Sequence, residues 1–245
     1  MSDLIQWPTA KYWTAQWNPI IGCRPCSPAC ENCYAAAWAK RFGQSFEPHA
    51  TKQRPPRKGV VFCGSMTDLF GEWRSSTEMV VDVSIPCKTQ GAQYLWLTKR
   101  AHNLATTICH LANCHPYPEL WYDNHYFGFT AENKEWYEKR LEVFDTMPTW
   151  ANKWVSCEPL LGPIDELYLA VHTMGLKWLV VGCESGPNRR PCKIEWVESI
   201  VEQCRAANVP VFVKQLDIGG KCVTDIDKFP AHLRIRQVPW AKETK

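Results

Sequence analysis

Short, continuous apolar runs alternate along the chain with polar clusters and helix-like stretches. Gly59–Cys63 reads Gly-Val-Val-Phe-Cys and is followed by Gly-Ser-Met-Thr-Asp; Tyr94–Leu97 is followed by Thr-Lys-Arg. Tyr126–Phe129 leads into Thr-Ala-Glu-Asn, Lys153–Val155 into Ser-Cys-Glu-Pro, Lys177–Val181 into Gly-Cys-Glu-Ser-Gly-Pro, and Val209–Val213 into Lys-Gln. Runs that are apolar without alternation are buried on both faces, the mark of parallel strands in β/α units. A weaker strand signal lies within Tyr12–Ile21. The pattern predicts an α/β chain folded as a complete or partial TIM-like (β/α) barrel of six or seven parallel strands. A doubly wound open sheet is the alternative. Residues 1–220 are expected to form the barrel, with a loop at 22–34 and an irregular insertion near 106–123. Residues 221–245 read as a peripheral tail. In a barrel the polar residues that end each strand gather at one mouth, so those clusters are the candidate site.

A length of 245 residues allows one large domain or two small ones. With 45% hydrophobic and 22% charged residues the composition is that of a folded globular chain, not of a disordered one. No apolar run is long enough to span a bilayer, so no membrane partner is expected. The start, Met-Ser-Asp-Leu-Ile-Gln-Trp, lacks the basic and apolar regions of a secretory signal, and a cytoplasmic location is expected. A net charge of +3 permits nucleic-acid contact without arguing for it. The 13 Cys are odd in number and sit in a long chain, which points to reduced thiols and metal ligands rather than a disulfide scaffold. The 13 Trp are expected to divide between core packing and a stacking surface.

The most informative segment runs Trp17-Asn-Pro-Ile-Ile-Gly-Cys23-Arg-Pro-Cys26-Ser-Pro-Ala-Cys30-Glu-Asn-Cys33-Tyr34. Pro19, Pro25 and Pro28 prevent a helix and curl the loop, directly before a helix-like stretch whose N-terminal end favours negative charge. Cys26, Cys30 and Cys33 have the spacing C-x3-C-x2-C. Three thiolates on a [4Fe-4S] cluster leave one iron open to a substrate or cofactor, whereas four close it. The spacing is that of radical S-adenosylmethionine (SAM) enzymes. A closed site made of all four cysteines, holding zinc or an electron-transfer cluster, is the alternative.

The segments WNPIIGC…SPACENCYA, CGSMTDLFGEW, LTKR, SCEPLLGPID, VGCESGPNRRP and VPVFVKQL occur in order over residues 17 to 216. In these the sequence resembles the phage- and bacterium-encoded three-Cys-motif proteins, a divergent branch of the radical SAM superfamily. In that family the spacing is C-x6-C-x2-C, which falls on Cys23, Cys30 and Cys33 and makes Cys26 the alternative to Cys23. Typical radical SAM motifs carry an aromatic before the last cysteine; here Asn32 stands there, and Tyr34 follows Cys33 as the candidate cofactor contact.

The resemblance implies [4Fe-4S] and SAM as cofactors and a flavodoxin or ferredoxin as external electron donor. It implies a 5′-deoxyadenosyl radical that abstracts hydrogen from a substrate carbon. Its phage association points to modified DNA as substrate, in modification or rearrangement of a hypermodified base. A non-catalytic four-cysteine module that binds nucleic acid or protein, and a lyase repairing DNA photoproducts, are the alternatives. On this reading Ser65 and Asp68 are candidates for the SAM amino group, and Thr98, Lys99 and Arg100 for an anion such as the SAM carboxylate. Thr130, Glu132 and Asn133 are candidates for ribose hydroxyls. Glu158, Glu184 and Lys214 are the candidate catalytic residues, with Gln215 beside them and Lys214 expected to pair with one of the glutamates. Arg189 and Arg190, with Arg54, Arg57 and Lys58, are candidates for polynucleotide phosphates. Cys63, Cys157 and Cys183 are read as packing residues or as hydrogen-donor thiols. Cys109-His110 with Cys114-His115 is a candidate second metal site.

Overall fold

The computed structural model describes residues 5–88, 91–114, 116–167, 175–186 and 188–240. Its strands fall on the apolar runs. β1 (Ala15–Trp17), β2 (Gly59–Cys63), β3 (Ala92–Thr98) and β4 (His125–Thr130) pair in that order, all parallel. Every residue of β2 and β4 is buried, as strands covered on both faces must be. β5 (Asn152–Cys157), β6 (Leu176–Gly182) and β7 (Val211–Ile218) form a second parallel run, which β8 (Lys221–Val223) closes antiparallel to β7. The described helices are α1 (Tyr34–Arg41), α2 (Ser76–Ser84), α3 (Ala101–Cys114), α4 (Pro118–Trp121), α5 (Lys134–Phe144) and α6 (Ile194–Ala206). The fold is therefore mixed α/β with mostly parallel strands.

The chain divides into two compact units. The described residues of Trp13–Phe129 and Arg140–Asn152 form one, here the cysteine-loop unit. Those of Met1–Tyr12, Thr130–Lys139 and Lys153–Lys245 form the other, the glutamate unit. Each has its own aromatic core. In the first, Trp96 receives Trp17 and Phe70 edge-on at 6.0 and 6.3 Å. In the second, Tyr12 stands edge-on to Trp178 at 5.0 Å and to Phe212 at 5.3 Å, and Trp240 meets Trp178 at 4.9 Å. Fully burying one such ring stabilises the fold by about 1.5–3 kcal/mol. Trp17, Trp96, Trp154 and Trp178 are fully buried, so much of the tryptophan surplus is packing.

Three expectations are corrected. Residues 101–114, placed partly in an irregular insertion, are helical, because Leu104, Ala105, Ile108 and Leu111 recur at helical spacing and bury one face of α3. The segment after residue 220 is no peripheral tail. β8 pairs with β7, Gln237–Val238 pairs with Ile5–Gln6, and Phe229, Leu233 and Trp240 are buried in the glutamate unit. The last long strand extends past Val213, so Lys214 and Gln215 lie within β7 rather than after it. No helix among the described residues is long and apolar enough to cross a membrane.

Candidate functional site

The cysteine loop starts where no side chain fits. Gly22 has φ +96°, and a Cβ there would lie 2.4 Å from the Glu47 carbonyl oxygen. Its N–H donates to the Met66 carbonyl at 3.0 Å, its carbonyl accepts the Thr67 hydroxyl at 2.5 Å, and the Cys23 N–H donates to the Phe46 carbonyl at 3.0 Å. Cys23 is thereby fixed against the turn that follows β2. Pro28 opens a short 3-10 turn ending at Cys30, and Cys33 is the N-cap of α1. The Tyr34 hydroxyl donates to the Ser65 carbonyl, and the Ser65 hydroxyl pairs with the Asn18 amide at 3.2 Å. Tyr34 and Ser65, both expected to touch cofactor, are thus also braces between the loop and the end of β2.

Asp68 is the knot of this unit. Its Oδ1 accepts from the Phe70 N–H at 3.1 Å and the Thr98 hydroxyl at 2.6 Å; its Oδ2 accepts from the Lys99 N–H at 3.0 Å and Arg100 Nη1 at 3.1 Å. All four lone-pair positions of the carboxylate are occupied. Asp68 therefore has no acceptor left for an ammonium, and Thr98, buried and bonded to Asp68 and to the Arg100 N–H, is not presented to an anion. Arg100 carries the link onward. Its Nε donates to Glu72 at 2.6 Å, its Nη2 to the carbonyl of Arg24 at 2.9 Å, and it lies 4.8 Å over the Trp73 ring. Burial works against the Arg100 charge, but Asp68, Cys26 and Glu72 together outweigh it and raise the pKa. The loop residue next to Cys23 is thus tied to the end of β3.

The thiols feel one another. The Cys26 thiol donates to Cys30 and lowers its pKa to about 4, the Lys99 ammonium adding to the effect against burial. Cys26, as donor, is pushed up, first by that bond and then by burial. Burial raises Cys23 to about 11, with the Asp68 carboxylate adding and Arg100 opposing. Cys33 makes no side-chain hydrogen bond to these three. Among the described residues no three His, Cys, Asp or Glu are gathered for a single metal ion. The fit to an iron–sulfur cluster rests on donor chemistry. Four free, half-buried thiols in one loop are soft ligands suited to iron–sulfur, and Lys99 and Arg100 supply positive charge beside them.

In the glutamate unit the pairing is decided. Lys214 Nζ donates to Glu158 Oε1, and Gln215 Nε2 donates to the same oxygen at 2.9 Å. Successive strand residues normally face opposite ways. Here the register of β7 on β6 slips between Val213 and Gln215, a bulge at Lys214 that lets both neighbours reach one carboxylate. Glu158 Oε2 has no donor among the described residues. Glu184 is used differently. Its Oε1 accepts from Arg190 Nη2 at 2.6 Å and its Oε2 from the Arg190 N–H and Nε at 2.8 and 3.1 Å. Arg189 is held by Asp217 at 2.9 Å, and burial of Asp217 is outweighed by that arginine, which lowers its pKa.

Arg189 and Arg190 are therefore committed to carboxylates rather than offered to phosphates, whereas Arg54, Arg57 and Lys58 are exposed. The side chains of Thr130 and Glu132 are fully buried, which takes them out of reach of ribose hydroxyls. Burial raises the pKa of Cys63, Cys157 and Cys183, as packed thiols require. Cys109 points its thiol at the Thr146 carbonyl, 3.6 Å away, and Cys114 is exposed; His115 of the candidate second metal site lies outside the described residues. Sequence reasoning missed Gly22, Asn18 and Asp217. Asn18 had a signal, as the polar residue directly after β1; Gly22 had one as a glycine directly before the first cysteine.

The chain is a mixed α/β protein with a clamped four-thiol loop between β1 and β2 in one unit and a half-open carboxylate in the other. The family described as "Protein of unknown function (DUF5131)" matches residues 8–232, and the chain belongs to that family. No curated protein matches. Among solved structures, "Spore photoproduct lyase complexed with dinucleoside spore photoproduct" is similar at 14% identity with a TM-score of 0.47, over 67% of this chain and 54% of that one. The chain thus spans about half the length of that structure.

Proposed function

We propose that the protein is a radical SAM enzyme whose [4Fe-4S] cluster is held by Cys23, Cys30 and Cys33, with Cys26 the alternative to Cys23. The observation that carries this reading is the cysteine loop: four thiols in eleven residues, fastened through Gly22 to Met66 and Thr67 and through the Arg24 carbonyl to Arg100, which Asp68 holds. When bound, the cluster and SAM supply a 5′-deoxyadenosyl radical that takes a hydrogen atom from a substrate carbon.

The chain's own residues bind and orient. Lys99, whose ammonium has no hydrogen-bond partner among the described residues, is the candidate for the SAM carboxylate. Asp68 positions rather than binds, since its acceptors are spent on the protein. Glu158, held on one oxygen by Lys214 and Gln215, offers the other to a substrate donor or proton. A nucleic-acid base is the substrate class, a hypermodified phage DNA base its best candidate; exposed Arg54, Arg57 and Lys58 support it. A flavodoxin or ferredoxin would supply the electron.

Anaerobic reconstitution with iron and sulfide, followed by SAM and dithionite, tests the reading. Bound iron and sulfide in equal amounts and formation of 5′-deoxyadenosine are expected. Protein that takes up zinc but no iron–sulfur, or a cluster that leaves SAM intact, would overturn it.

A further inference from the structure

Helix α1 is built the wrong way round for a helix that only packs. Its buried residues are the small ones, Ala35 and Ala39, and its large aromatics point outward. Tyr34, Trp38 and Phe42 are 58%, 46% and 58% exposed. Their spacing of four puts them on one stripe, with steps of ~6 Å along the axis. Trp38 and Phe42 lie 4.8 Å apart, and the Arg41 guanidinium sits 5.9 Å from the Phe42 ring centroid. The Tyr34 ring is exposed while its hydroxyl is bonded to the Ser65 carbonyl, so its orientation is set. The stripe begins at the residue after the last cysteine of the loop.

The charge of the segment that runs from α1 to β2 is one-sided. Residues 34–58 contain Lys40, Arg41, Lys52, Arg54, Arg57 and Lys58, all exposed, against a single acid, Glu47. Glu47 itself is paired with Arg24 at 3.3 Å. The excess of this segment is larger than the net charge of +3 of the whole chain, so the remainder is net acidic.

We infer that the exposed face of α1 is a docking surface for single-stranded nucleic acid, its rings stacking unpaired bases while Arg41 beside them and the exposed cations of the following segment meet phosphates. This rests on the nucleic-acid part of the function proposed above. An acidic protein would use the cations but has no need of open ring faces. A duplex offers phosphates but keeps its bases stacked on each other. Unpaired strands use both features.

The test uses the full chain, without SAM or reductant, and a fluorescein-labelled mixed-sequence oligonucleotide read by anisotropy, as single strand and as duplex. The single strand is expected to bind more tightly. Trp38→Ala and Phe42→Ala are each expected to weaken it about tenfold or more, with melting temperature unchanged, and Trp38→Phe to restore most of the loss. Arg41→Gln is expected to flatten the dependence of affinity on salt. Single-strand affinity unmoved by Trp38→Ala, or lost equally for duplex, overturns the inference. So does a Trp38→Ala variant that loses only its complex with a flavodoxin. Because binding is read without radical chemistry, a chain inert towards SAM can still pass, and an active enzyme can fail.

Discussion

Asp68 in the cysteine-loop unit and Glu158 in the glutamate unit are both carboxylates following parallel strands, and they differ in what is left over. Asp68 accepts two hydrogen bonds on each oxygen, from three residues of the β3 end and one of its own turn. Glu158 takes both of its donors on Oε1. A carboxylate with every lone pair engaged holds structure together; one with an oxygen open can meet a ligand. Glu184 shows that the distinction is not one of unit, because Arg190 engages both of its oxygens in the same unit as Glu158.

The largest effect is expected at the most saturated group. Asp68→Asn removes the charge opposite buried Arg100 and costs about 3–5 kcal/mol by denaturant titration. It also frees the Arg24 end of the loop, so reconstituted protein is expected to retain little iron. Full iron retention would show that the clamp and the loop are independent.

A smaller, sharper contrast comes from the two glutamates. Glu184→Gln, at a buried carboxylate held on both oxygens by Arg190, is expected to cost about 2–3 kcal/mol of stability. Glu158→Gln, which loses a charge engaged on one oxygen only and keeps an amide oxygen to accept from Lys214 and Gln215, is expected to cost less, about 1 kcal/mol. Product formation should show the reverse order, falling about 100-fold in Glu158→Gln. Equal stability losses in the two variants would erase the distinction drawn above.

The strands were legible because a buried parallel strand is a local run of apolar residues, and Gly59–Cys63 is found on the residues expected. The cysteine loop was legible because ligand spacing is local as well. What stayed hidden depends on residues far apart in sequence. Nothing near Asp68 reveals that Thr98, Lys99 and Arg100 fill its acceptors thirty residues later. The choice of Glu158 over Glu184 by Lys214 turns on a one-residue bulge, which has no composition signal. The segment after residue 220 misled because its buried residues, Phe229, Leu233 and Trp240, are scattered rather than periodic.

His125 sharpens the comparison from the other side, as a buried polar group that is neither saturated nor open to a ligand. It lies on β4 with no exposed surface, its Nδ1 accepting from the Trp96 indole at 3.0 Å. Because indole nitrogen only donates, Nδ1 is the bare nitrogen and the proton sits on Nε2, which has no acceptor among the described residues. Burial pushes the His125 pKa down to about 3, from an ordinary value near 6.5. Between those values the unfolded chain binds a proton that the folded chain refuses. The contribution to stability is therefore complete above pH ~6.5 and is lost as pH falls towards 3, by at most about 1.4 kcal/mol per unit. His125→Asn keeps an acceptor for Trp96 and does not titrate. From about pH 6 to pH 5 the wild type is expected to lose about 1 kcal/mol more than this variant, read from urea midpoints. Parallel pH curves would mean that the ring takes up a proton in the folded protein, and that burial in β4 does not set its charge.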